Sequence, residues 1–217
     1  ETAQAQSPLP AVPFELDLIK QQWQTTAISD QQFTIQNLLN TQQQERFGIL
    51  HLATHASFQP GEANRSYIQF ADNKLGLSEL QQAFANRTDL PQLPELIVLS
   101  ACRTAFGSPE AELGFAGAAL QAKVKTVLAS LWSVNDTGTA GLMAEFYQQL
   151  KTAPIKAEAL RQAQIAMLKG EIFIKDGKLH WSGKNMQALP SDLQGLEAYD
   201  LSHPYYWSAF TLIGNPW

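Results

Sequence analysis

Residues 47–54, Phe47-Gly48-Ile49-Leu50-His51-Leu52-Ala53-Thr54, form an almost unbroken apolar run of strand length that ends at His55. A second run of this kind, at residues 95–100, stops just before Cys102, and a third covers residues 126–132. Such continuous runs are typical of strands that are covered on both faces of a sheet. Helical patterns separate the runs, so the sequence predicts an α/β fold, a three-layer α/β/α sandwich with a mostly parallel sheet.

The other predicted elements surround these three strands. A short strand is expected at residues 25–28, and the hydrophobic pattern after Asp30 predicts a helix with Asp30 as its N-cap. A hairpin is expected at residues 171–182, with Asp176-Gly177 at its turn. The remaining predictions are helices at residues 14–24, 113–122, 137–150 and 154–169 and a final strand at residues 207–213.

Composition limits the classes of protein that this chain can belong to. It has 217 residues, 45% hydrophobic and 16% charged, which suits one globular domain over residues 1–217. The net charge of -5 without a basic stripe argues against nucleic-acid binding, and no apolar run approaches the ~18 residues of a membrane span. The one cysteine excludes an internal disulfide framework and a multi-cysteine zinc site. We expect a reducing, cytoplasmic location, no cofactor and no metal.

The ends of the first two strands carry the candidate catalytic residues. Ligand sites in parallel sheets lie beyond the carboxyl ends of the strands, so His55 and Cys102 meet at one edge if their strands are neighbours. An imidazole beside a thiol can take its proton and later protonate a leaving amine. The backbone N–H groups of Cys102 and Ala56 could then hold the oxyanion of the tetrahedral intermediate.

Less specific interpretations of the same residues stay open at this point. A lone cysteine is more often a small buried hydrophobe than a nucleophile, and a lone histidine at a strand end is more often structural than a base. A metal site that pairs His51 with His55 would need a third ligand, and none lies nearby in the sequence. The pair His55 and Cys102, each at the exit of a strand, favours catalysis.

Two blocks of sequence around this pair resemble the catalytic blocks of the CHAT family, which are caspase-like domains found in bacteria, often behind tetratricopeptide repeats. They are Leu50-His51-Leu52-Ala53-Thr54-His55-Ala56 and Leu99-Ser100-Ala101-Cys102-Arg103-Thr104-Ala105-Phe106-Gly107. The spacing of His and Cys also agrees with the caspase signature, in which the histidine lies roughly 50 residues upstream. Similar blocks occur at residues 9–19, 117–136 and 203–210.

The resemblance implies a caspase-type fold and endopeptidase activity that uses His55 and Cys102, with the amides of Ala56 and Cys102 as the oxyanion hole. Ala56 stands where the family commonly has glycine, and Arg103 stands where many relatives carry glutamate. The family pattern also places one more strand before the opening helix. We therefore expect that this chain is a truncated or processed piece without that strand, and that the missing portion is needed for solubility.

Substrate selection in caspase-like folds involves the residue two before the nucleophile and the segment after the next strand. These positions correspond to Ser100 and to residues 132–136, from Trp132 to Asp136. Asp136 could pair with a substrate Lys or Arg, or it could cap the helix that follows.

Three classes of function are compatible with these features. The first is a cysteine endopeptidase that cleaves a protein or peptide substrate and is regulated by upstream repeats or partners. The second is a catalytically silent scaffold for protein–protein interaction. A cysteine-dependent acyltransferase or deamidase would use the same two residues on a different fold, and the ordered family blocks argue against it.

Overall fold

The structure, a computed structural model, describes residues 9–58, 66–76, 78–80, 82, 93–100, 103–104, 119, 123–132, 134–193 and 198–217. Its helices are α1 Ala11–Lys20, α2 Ile35–Gln44, α3 Asp136–Gln149 and α4 Lys156–Leu168. Its strands are β1 Ile49–Ala53, β2 Ala56–Phe58, β3 Tyr67–Gln69, β4 Lys74–Gly76, β5 Leu96–Ser100, β6 Arg103–Thr104, β7 Thr126–Ser130, β8 Phe173–Lys175, β9 Lys178–Trp181, β10 Asn185–Ala188, β11 Ala198–Asp200 and β12 Phe210–Gly214.

The three apolar runs form neighbouring strands of one central sheet, in the order β1-β5-β7-β12. β1 pairs with β5 and β5 with β7, both in parallel, whereas β12 runs antiparallel to β7. Every residue of β5 and of β7 is buried, as the continuous apolar runs predict. The mostly parallel sheet expected from the sequence is confirmed.

Helices and a second sheet cover the two faces of the central sheet. Side chains alternate across β5, so that Leu96 and Val98 join a core with α1, α3 and α4, while Ile97 and Leu99 face the opposite layer. That layer contains Leu38 of α2 and buried residues of the small sheet β4-β3-β2-β6. Burying each large apolar side chain stabilises the fold by about 1.5–3 kcal/mol. The three layers are therefore held by apolar packing on both faces, which confirms the predicted fold class.

The predicted hairpin is present as β8 and β9, within a separate antiparallel sheet of order β10-β9-β8-β11. Asp176 and Gly177 both have positive φ, 51° and 65°, as a two-residue type I′ turn requires. Ile174, Leu179 and Trp181 point from this sheet into the α1–α3–α4 core.

Local predictions near the start of the chain were partly wrong. Residues 25–28 form no strand, and the helix after Asp30 begins only at Ile35, behind a 3₁₀ turn at Asp30–Gln32. Its N-cap is Thr34, whose Oγ1 accepts from the Asn37 N–H at 3.1 Å. The predicted helix at residues 113–122 lies almost wholly outside the described residues, as do Ala101 and Cys102.

A cavity of about 600 Å³ is lined by β1, by parts of α1 and α2 and by residues 25–28. Among the described residues only β5 pairs with β1. Gln42 of α2 lines the cavity and is 6% exposed, yet its amide nitrogen and oxygen have no hydrogen-bond partner among the described residues. A buried amide without partners is destabilising.

Replacing Gln42 by leucine should therefore stabilise the protein by about 1 kcal/mol, since the change removes two unpaired polar groups and keeps the volume. Chemical denaturation measures the free energy of unfolding. Gln43→Leu, the same change at the exposed neighbouring position of α2, is the control and should shift it by less than about 0.5 kcal/mol. A destabilised Gln42→Leu variant would show instead that the amide is paired in solution.

Candidate active site

Backbone pairing brings together the segments that carry His55 and Cys102. Before these residues, Ala53 at the end of β1 lies opposite Ser100 at the end of β5. After them, Ser57 of β2 lies opposite Arg103 of β6, again in parallel. Cys102 itself lies outside the described residues, so the structure describes His55 and the chain on both sides of residue 102. The condition stated from the sequence, that the two strands are neighbours, is met.

Hydrogen bonds fix the turn in which His55 sits. The Thr54 N–H donates to the Ser100 carbonyl at 3.4 Å, which joins the two strand exits directly. The Thr54 hydroxyl donates to the Gln69 carbonyl at 2.8 Å, and the Gln69 N–H donates to the His55 carbonyl at 2.8 Å. The backbone is therefore tied to β5 at Thr54 and to β3 at His55, whose side chain is partly buried.

The N–H of Ala56 points toward the β6 side of β2 rather than toward β3. Residues in an antiparallel pair alternate between hydrogen-bonded and non-bonded positions. His55 uses its carbonyl to accept from Gln69 of the neighbouring strand, so the next residue, Ala56, directs its N–H to the other side of β2. That side faces β6, which begins at Arg103. The Ala56 N–H therefore lies outside the hydrogen-bond ladder between β2 and β3.

A buried polar cluster lies at the end of β5, and we call the residues Glu15, His51, Ser100 and Tyr147 the Glu15 cluster. The Ser100 hydroxyl donates to Glu15 Oε1 at 2.6 Å. His51 Nε2 lies 3.1 Å from the same oxygen, off the line of a hydrogen bond, and His51 Nδ1 lies 3.0 Å from the Tyr147 hydroxyl. Glu15 is 2% exposed and Ser100 is fully buried, so both lie away from solvent.

Tyr147 stays protonated in this cluster. Burial raises the pKa of its hydroxyl above the ordinary value, and the nearby Glu15 carboxylate raises it further. The protonated hydroxyl forms a hydrogen bond with His51 Nδ1, and the two rings pack with their centroids 5.7 Å apart. His51 therefore joins β1 to α3 through Tyr147 and lies beside Glu15 of α1.

Sequence reasoning missed Glu15, although a signal for it was present. The helix predicted at residues 14–24 has its apolar face at Phe14, Leu18 and Ile19. Glu15 lies three residues before Leu18 and four before Ile19, so its side chain projects from the same face of the helix, toward the core. An acidic residue on the buried face of an amphipathic helix requires a polar partner inside the protein.

The proposed specificity residues occupy different surroundings. Trp132, two residues after β7, is partly buried and packs against the α1–α3–α4 core. Asp136 is the first residue of α3, but Asn135 is the N-cap, because its Oδ1 accepts from the Gly138 N–H at 2.9 Å. The interpretation of Asp136 as the cap is therefore wrong, since the side chain one residue earlier reaches the orphan N–H. The hydroxyl of Ser100 is directed to Glu15.

Comparison with known proteins gives one match over nearly the whole chain. The family model described as the CHAT domain matches residues 1–215. No curated protein matches the sequence. Within the described part of the chain, no helix has the length and apolar character that crossing a membrane requires.

Proposed function

The chain belongs to the CHAT domain family, and from this premise we propose that it is a cysteine endopeptidase that cleaves a protein substrate with Cys102 as nucleophile and His55 as general base. The observation that carries the proposal is the parallel pairing on both sides of the nucleophile, Ala53 with Ser100 and Ser57 with Arg103. His55 and Cys102 are each within the short stretch of chain between these two pairs, residues 54–56 and 101–102, which supports the proposal that they act together. Upstream repeats or partner proteins would control access, and a free thiol suits a reducing cytoplasm.

The reaction follows the general course of thiol peptidases. His55 takes the proton of the Cys102 thiol, and the thiolate attacks the scissile carbonyl carbon. The N–H groups of Ala56 and Cys102 stabilise the oxyanion that forms. The intermediate collapses with cleavage of the C–N bond, and His55 protonates the leaving amine. Water, deprotonated by His55, then attacks the thioester, so that the acid is released and the thiol is restored.

Trp132 and Asp136 would line the first specificity pocket, since they follow β7, whose carboxyl end lies at the same sheet edge as that of β5. Ser100, the last residue of β5, is fully buried with its hydroxyl on Glu15, so it would contribute to the pocket only through its backbone. We propose that Asp136 selects a basic residue before the cut. The support for this role is the setting of Asp136: its side chain is only partly buried, and a carboxylate in such a setting pairs strongly with Lys or Arg.

A peptide library read by mass spectrometry tests the proposal. The wild-type protein should cleave after Lys or Arg, and a thiol-reactive peptidyl probe should label Cys102. Asp136→Asn should lower kcat/KM for basic substrates by about 10-fold or more and leave neutral ones nearly unchanged. Cleavage with no preference for the residue before the cut would reject the specificity role of Asp136 but not the peptidase activity. No cleavage and no labelling, with or without partners, would support the silent scaffold.

A further inference from the structure

The charge of Glu15 is not needed to attach α1 to the protein. Phe14, Leu18 and Ile19 of the same helix are buried in the α1–α3–α4 core and hold α1 in place by apolar contact. A carboxylate in that interface loses its hydration, and among the described residues it gains a hydrogen bond from the Ser100 hydroxyl and a 3.1 Å contact with His51 Nε2. An apolar residue of similar volume would pack there at lower cost. The contribution specific to Glu15 is therefore its bond to Ser100.

Ser100 connects the two halves of the candidate site. Its hydroxyl donates to Glu15 at 2.6 Å, and its carbonyl accepts from the N–H of Thr54, the residue before His55. The chain continues from Ser100 to Cys102 in two residues. The position of Ser100 thus influences both the nucleophile and the base.

We infer that Glu15 is a positioning residue for the reaction of Cys102 and His55: it holds Ser100, and with it the point where the two catalytic segments leave the sheet. This inference rests on the proposed peptidase function. Glu15 is 2% exposed, so it acts through Ser100 rather than on the substrate. Because Glu15 lies on α1, activity would also require that α1 is packed against the central sheet.

The expected defect lies in kcat. Nucleophilic attack needs the reacting atoms about 3–3.5 Å apart, and a misplacement of about 1 Å costs on the order of 100-fold in rate. Glu15 contributes nothing to substrate binding, so KM should stay nearly constant.

Glu15→Met tests the inference, because methionine fills a similar volume and accepts no hydrogen bond of comparable strength. We expect kcat to fall by about 10- to 100-fold, with KM changed by less than about twofold. Glu15→Gln keeps an oxygen that can accept from Ser100, and it should recover most of the lost kcat.

Glu145 offers a matched control on α3. It is also 2% exposed, and its carboxylate accepts from the Ser182 hydroxyl at 2.6 Å, the same kind of bond in a different part of the fold. Glu145→Met should leave kcat within about twofold of the wild type when thermal unfolding shows that both variants are folded at the assay temperature. Ser100→Ala should lower kcat like Glu15→Met, and the double variant should be no slower than the slower single one.

Other outcomes overturn the inference. They are an unchanged kcat in folded Glu15→Met, an equal loss in Glu145→Met, or additive losses in the double variant. A loss confined to substrates with Lys or Arg before the cut would also overturn it, because Glu15 would then act in substrate recognition. A wild-type protein that neither cleaves nor is labelled contradicts the proposed function instead, so the two failures are distinguishable.

Discussion

Replacing Cys102 by alanine is expected to reduce kcat by at least about 10³-fold, because no other thiol is present in the chain to form the thioester. His55→Ala should cause a loss of similar size, since the thiol would remain mostly protonated at neutral pH without a base beside it. The two losses should not add, because both residues serve the same step. Steady-state cleavage of a library-derived peptide measures kcat and KM.

The controls separate catalysis from folding. Cys102→Ser keeps the shape of the side chain, and its circular dichroism and melting temperature should match those of the wild type. His180→Ala removes another histidine, which stacks on Phe173 in the β8–β9 hairpin far along the chain from the dyad, and should leave kcat unchanged. Full cleavage by Cys102→Ala would show that the nucleophile is another residue, and full activity of His55→Ala would remove His55 from the mechanism.

Replacing Phe146 by alanine is expected to destabilise the fold by about 3–5 kcal/mol. Phe146 lies on α3, is fully buried in the core that α1, α3 and α4 form on the central sheet, and contacts the ring of Tyr147 edge-on at 5.7 Å. The loss has two parts. The variant loses the free energy gained by burying the ring, and a cavity remains in the close-packed interior. For a domain of this size the melting temperature should fall by roughly 10 °C.

An exposed large side chain on the neighbouring helix provides the comparison. Leu168 at the end of α4 is 55% exposed, and Leu168→Ala should change the free energy of unfolding by less than about 0.5 kcal/mol. Urea denaturation of both variants measures the difference. A loss below about 1 kcal/mol for Phe146→Ala would mean that the core collapses around the missing ring.

The sequence alone was sufficient for the strands that carry the site. The runs at 47–54, 95–100 and 126–132 correspond to β1, β5 and β7. β5 and β7 are buried at every residue, as a strand covered on both faces must be, whereas β1 is buried only at Leu52 and partly buried elsewhere. The turn at Asp176-Gly177 was also predictable, since only a few residue pairs accept two positive φ angles. Both signals are local. An apolar run predicts a covered strand whichever elements cover it, and the turn depends only on its own two residues.

Predictions that depended on a specific neighbour were less accurate. Residues 25–28 have strand-like residues but no pairing partner among the described residues, and a strand exists only through its ladder. The cap of α3 moved from Asp136 to Asn135, because the choice between adjacent side chains depends on backbone geometry at the helix start.

The residues alone indicate the α/β class, the order of the apolar strands and the positions of His55 and Cys102 just after two of them, because periodicity and apolar runs encode these features locally. Three features come from the packing of distant segments: β1 and β5 are neighbours, the Ala56 N–H faces β6, and Glu15 binds Ser100 across 85 residues of chain. Such contacts depend on how the layers pack. No local pattern in a single sequence shows whether a buried carboxylate has a hydrogen-bond partner elsewhere in the chain.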